Sequence, residues 1–147
     1  MMRNNLIIAL LAMVLTACGG KEVKEDQSLS HYFAIKDALV KTDPLDAAQA
    51  ARAFLEVNTN ASLKTSLQMI SGSMDVNFQR KAFEQLSKDM YHFVKTNDTG
   101  ITVYKQFCPM AFDYKGAYWL AKEEQVNNPY FGNLMLHCGH VDEVITQ

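Results

Sequence analysis

Two short stretches hold the residues best suited to chemistry: Cys108-Pro109-Met110, and Met135-Leu136-His137-Cys138-Gly139-His140. Two thiols, two thioethers and two imidazoles thus lie at the ends of a segment of about thirty residues. Thiolate and thioether sulfur together select Cu(I) among the common biological metals. Pro109 favours extended backbone at Cys108, and in extended backbone residues two apart point to one side. Cys108 and Met110 are therefore expected to share a face, as are Met135 and His137, with Cys138 beside them at a turn before Gly139. If the ends meet, Cys108, Met110, Met135 and Cys138 are the ligands, and His137 or His140 completes or tunes the site. Thioethers bind without losing a proton, so only the thiolate part of the affinity is expected to depend on pH.

Other chemistries use the same residues less fully. A Cys108–Cys138 disulfide would close a loop worth roughly 3–4 kcal/mol in chain entropy, making the segment a stapled interaction module without metal. Zinc in a Cys₂His₂ set lacks the usual close pair of cysteines. A catalytic Cys-His pair has no recognisable third partner. There is no Cys-x-x-Cys-His haem motif, glycine-rich phosphate loop or nucleophile elbow, so no enzymatic activity is expected. Met110 and Met135 favour the soft metal, because a staple would not require them. Staple and metal site both stay open at this point.

The 147 residues suit one domain. Hydrophobic residues make up 48% and charged residues 20%, an ordinary globular balance, and the net charge of −2 carries no basic excess for nucleic acid. Arg3 followed by the apolar run Leu6 to Leu15 fits a signal peptide over residues 1–17 and is too short to span a membrane. Leu15-Thr16-Ala17-Cys18 resembles the lipobox of bacterial lipoproteins, which implies acylation of Cys18 and an envelope protein facing the periplasm. Acyl chains anchor through burial of their CH₂ groups, each worth about 0.8 kcal/mol. Removal of 1–17 leaves 13 basic and 16 acidic residues. Residues 18–28 read as the acylated cysteine and a polar tether. With Cys18 acylated, Cys108 and Cys138 remain, in a compartment that favours thiols bonded to each other or to something else.

The elements that must position these sulfurs come before and around them. Residues 29–97 read as about four amphipathic helices in a small antiparallel bundle, which makes the fold mainly α. Tyr32, Ile35 and Leu39 mark the first, with Ser28 or Ser30 as its cap. Asp43-Pro44 starts the second, with Ala47, Ala48, Ala51, Phe54 and Leu55 on one face. The third runs from Ala61 to Ile70, and the fourth carries Phe83, Leu86, Met90, Phe93 and Val94. His31 and His92 are expected to be structural, and Met69, Met74 and Met90 core or rim residues. Residues 100–147 read as an irregular Cys/Met-rich cap, with short strands at ITVYKQF, GAYWLA, LMLHCG and VDEVI. Tyr118, Trp119, Tyr130 and Phe131 are expected to pack the cap on the bundle, with Trp119 also able to face a bound ion through its ring. Gly116 and Gly132 read as turn residues. Residues 29–147 form a single domain on this reading.

The phrases YFAIKDALVKTD, VYKQFCPMAFDYKGAYWL and NNPYFGNLMLHCGHV together resemble a bacterial domain of unknown function, over about Ser28 to Gln147. That domain occurs as stand-alone lipoproteins and appended to periplasmic adaptor subunits of heavy-metal efflux pumps. The resemblance implies copper or silver handling, with an efflux adaptor or another envelope protein as partner. Cys108, Met110, Met135 and Cys138 match its motif, whereas His137 and His140 are features of this sequence that the resemblance does not carry over.

Overall fold

The computed structural model describes residues 26–146. Cys18, the expected signal peptide and most of the tether lie outside the described residues. The first four elements are helices: α1 (Gln27–Val40), α2 (Pro44–Val57), α3 (Ala61–Ser71) and α4 (Val76–Thr96). Each starts on an Asx residue whose side chain accepts from the first free backbone N–H groups. Asp26 takes Ser28, Asp43 takes Leu45 and Asp46, Asn60 takes Ser62, and Asp75 takes Asn77 and Phe78. An Asx cap of this kind is worth about 1 kcal/mol. The cap of α1 is thus Asp26 and not a serine, because its carboxylate outcompetes a hydroxyl for the Ser28 amide. The last residues assigned to the tether are already helical.

Consecutive helices pack on one another, and their apolar stripes close a core of Leu29, Tyr32, Ile35, Leu39, Phe54 and Leu67 with Phe83, Leu86, Met90 and Val94. Met90 fills the core as expected, and Met69 and Met74 are exposed at 40% and 55%. Met69 lies off the stripe that α3 buries, and Met74 lies in the connection between α3 and α4.

The second half is more regular than the expected cap. Strands β1 (Val103–Cys108), β2 (Ala117–Ala121) and β3 (His140–Ile145) form an antiparallel sheet in the order β2-β1-β3. Cys108 pairs with Ala117 on one side, and Phe107 with His140 on the other. An irregularity between Lys105 and Gln106 bends the β1–β3 pairing. Strand β2 lies on α4, and Tyr32 ties three elements together there: its hydroxyl pairs with Ser87 Oγ at 2.7 Å and accepts from Leu120 N at 3.0 Å. Glu143 anchors β3 to α4 by accepting from Tyr91 and Lys95.

The LMLHCG stretch is not a strand. A 3₁₀ turn (Gly132–Leu134) leads into it, Cys138 N donates to Met135 O, and the Leu136 carbonyl is taken by Asn128 N. These local bonds use the backbone groups that a ladder would need. Gly132 makes the turn possible. Its φ is 56°, and a Cβ there would lie 2.3 Å from Thr42 Oγ1, at the end of α1. Gly132→Ala is expected to destabilise the protein by about 2–3 kcal/mol in urea unfolding, and Gly72→Ala, with ordinary helical backbone, by much less.

Candidate metal centre

Cys108 ends β1 with no exposure, against the core. Cys138 comes to it from the loop before β3, half-buried. Their Sγ atoms lie 3.1 Å apart, whereas a disulfide bond measures about 2.05 Å; both are free thiols. Two features deliver Cys138 to this point. Gly139 has φ 140°, and a Cβ there would stand 2.7 Å from the Phe107 carbonyl and 3.2 Å from the Trp119 ring, so only glycine lets the chain pass so close. Asn128, fully buried, donates from Nδ2 to the Cys138 carbonyl at 2.8 Å. Its Oδ1 accepts from Tyr130 N and Phe131 N, so one amide holds both ends of the loop.

The loop is fastened to the helices as well. Arg80 on α4 donates from Nε to Pro129 O at 2.8 Å, and from Nη2 to Leu39 O and Thr42 Oγ1. Tyr130 donates to Tyr118 O at 2.6 Å and sets its ring edge-on to Phe112 and Trp119. Trp119 is buried, and among the described residues its indole N–H meets no hydrogen-bond partner. Trp119 and Tyr130 thus pack the sheet on the bundle as expected. Tyr118, half-buried, packs edge-on to Tyr91 of α4 at 5.7 Å and lies under Lys105, whose Nζ stands 4.7 Å from its ring centre.

The thioethers are placed differently from the expectation. Met110 has helical backbone, φ −88° and ψ −11°, so the chain has left the extended conformation and Met110 no longer shares a side with Cys108. It is 36% exposed. The chain then makes one left-handed turn, Ala111–Tyr114, with φ of 53°, 57° and 64° at Phe112, Asp113 and Tyr114. Each non-glycine residue held this way costs about 1–2 kcal/mol, a strain that persists only where the surroundings over-determine it. Met110 and Met135 line one cleft with this turn. The structure therefore brings the thiols to each other and the thioethers to a common cleft.

The histidines do not join them. His137 Nδ1 contacts Val126 O at 2.8 Å, and His140 sets its ring against Phe107 at 5.9 Å. The 136–137 turn separates His137 from Met135, so the shared face expected of an extended chain is lost. Among the described residues no three His, Cys, Asp or Glu side chains gather as metal ligands. His31 stacks on Phe54 and His92 leans on Tyr91, both on the helices. Sequence reasoning missed Asn128, Arg80 and the left-handed turn. The Asn-Asn-Pro motif signalled a turn, but nothing in it says what the second amide holds.

The thiols interact electrostatically. The hydrogen bond with Cys108, then burial, pushes Cys138 up to about 11 from an ordinary 9.0. A thiol raised in this way contributes its stability in full below pH 9 and loses it as pH rises towards 11.

A family model described as a protein of unknown function, DUF3347, matches residues 29–102, half of the chain. The chain belongs to that family. The match ends before β1, so it spans the helices and not the two cysteines. No curated protein and no solved structure matches the chain.

Cys108→Ala is expected to return Cys138 towards an ordinary thiol. Alkylation of Cys138 by iodoacetamide at pH 8 then accelerates about tenfold over the reduced wild type, measured by intact mass against time.

Proposed function

We propose that this member of a family of unknown function binds a soft metal ion, Cu(I) by its donors, as cargo for buffering or transfer in the cell envelope. The observation that carries this reading is the 3.1 Å separation of the Cys108 and Cys138 sulfurs. Two thiolates on one ion, each at about 2.3 Å, stand at most about 4.6 Å apart, so the pair fits a single ion after a small movement. With no third His, Cys, Asp or Glu gathered there among the described residues, further protein donors must be thioethers or carbonyls. Met110 and Met135 supply the thioethers from the neighbouring cleft. Soft sulfur of both kinds discriminates against zinc and in favour of Cu(I). His137 and His140 have no supporting contact and drop out of the proposed ligand set. The proposed role is binding of the ion and not an enzymatic reaction.

The anchor belongs to the same proposal. Cys18 would carry acyl chains, and the domain would face the periplasm from a lipid surface, with an efflux adaptor or another envelope protein receiving the ion. Among the described residues no helix is long and apolar enough to cross a membrane. Cys18→Ser is expected to move the protein from the membrane pellet to the soluble fraction and to abolish incorporation of a palmitate analogue. Unchanged pelleting would remove the anchor.

The same sulfur proximity supports the stapled interaction module, reached by oxidation of the pair. A thiol count on denatured, metal-stripped protein purified without reductant separates the two resting states: two free thiols favour the metal site, none the staple. For the ion itself, Cu(I) competition titration of the reduced protein is expected to give one tight site. Cys108→Ser or Cys138→Ser should weaken it about a hundredfold or more, and Met110→Leu or Met135→Leu about tenfold. Unaltered affinity in both leucine variants would take the thioethers out of the site.

A further inference from the structure

The cleft that Met110 and Met135 line has a volume of about 430 Å³, within the range that encloses a small organic molecule. Its lining divides by chemistry. Phe112, Tyr130 and Phe131 stand with the two thioethers as an apolar portion. Asn77, Arg80 and Lys81, spaced i, i+3 and i+4 on α4, present a polar portion from one helix face. Asp113 is the acid in the lining, which leaves an excess of one positive charge.

Arg80 is the unusual member. It is 6% exposed, and among the described residues no carboxylate forms an ion pair with it. Its contacts are three neutral oxygens, made through Nε and Nη2; none uses Nη1. Burial pulls its pKa below the ordinary guanidinium value. A buried cation is normally paired, and the planar guanidinium fork fits a carboxylate.

We propose that this cleft binds a small organic anion: a carboxylate on a flat apolar body. The head lies against Arg80, Lys81 and Asn77. The body lies among the thioethers and rings, where sulfur and aromatic faces attract each other and any flat apolar group between them. The left-handed turn that follows Met110 presents Phe112 and Asp113 to the cleft and so shapes its mouth. The proposal rests on α4 and the cleft, not on the thiols, and it stands whether or not the thiols bind metal.

The test uses the reduced, metal-free protein titrated with 3-phenylpropanoate, read by calorimetry and by the methyl resonances of the methionines. Saturable binding with Kd below about 1 mM is expected, with Met110 and Met135 shifting and the core Met90 unmoved. The neutral amide of the same acid is expected to bind about tenfold more weakly or worse. Lys81 is exposed on α4, so Lys81→Glu is expected to retain the fold. It and Asn77→Ala are each expected to weaken the carboxylate by about tenfold while leaving the amide unchanged. No saturable shift up to about 10 mM, equal affinity for acid and amide, or equal affinity in Lys81→Glu would each overturn the proposal.

Discussion

Arg80 reaches from α4 to the Pro129 carbonyl while its Nη2 holds Leu39 and Thr42 at the end of α1. That one buried guanidinium joins two helices to the loop that carries Cys138. Next along the loop, Gly132 sits against Thr42, Arg80 and the Val40 carbonyl with no room for a Cβ. Tyr130 fills the space between Phe83, Phe112 and Trp119. Asn128 then passes the constraint to Cys138 through its carbonyl. Without the guanidinium, the loop would keep its ring packing and the contact of Tyr130 with Ser87 on α4 but lose the bond that holds Pro129. A buried charge bonded only to neutral oxygens is costly to remove from water, so its retention points to a positional role that an apolar residue could not fill.

The other end of the sheet is held by a second set of polar contacts. Gln106, buried in β1, donates to the carbonyls of Glu123, Glu124 and Gln125 in succession. Lys36, nearly unexposed on α1, forms an ion pair with Glu123 in the same bend. The bend after β2 is therefore gripped from the sheet and from the first helix at once. Not every buried polar group is satisfied: among the described residues Gln79 Oε1, Gln106 Oε1 and Trp119 Nε1 find no hydrogen-bond partner. In each glutamine the amide nitrogen has three carbonyl partners, which fixes the orientation of the side chain. Charge-to-backbone and amide-to-backbone bonds thus do the work that regular secondary structure does elsewhere in the chain.

The sulfurs gather where these constraints converge. The thiols meet at the end of β1, and the thioethers face the adjoining cleft beside a turn of three strained residues. The end of the central strand supplies one sulfur and a pinned loop the other. Movement between a hydrogen-bonded thiol pair, a disulfide and an ion-bridged pair therefore needs sub-ångström to ångström shifts and no refolding. The cleft adds a face of opposite character, cationic and amide-bearing on α4, apolar on the turn.

The helices were legible in the residues themselves. The stripes of α1, α2 and α4 and the Asp43-Pro44 start follow from a local period and local caps, which depend on neighbours a few positions away. Three of the four expected strands are strands for the same reason. The pairing of Cys108 with Cys138 was readable as a possibility, because two soft donors in one short segment have few other uses. What the sequence could not yield was direction. Met110 turns away from Cys108, LMLHCG folds as a turn, and His137 and His140 face Val126 and Phe107. Each depends on a contact from far along the chain: Asn128 on the loop carbonyls, Arg80 across from α4, the Phe107 backbone against Gly139. Local propensity decides which segments coil or extend; only packing between distant segments decides which way a side chain in an irregular loop points.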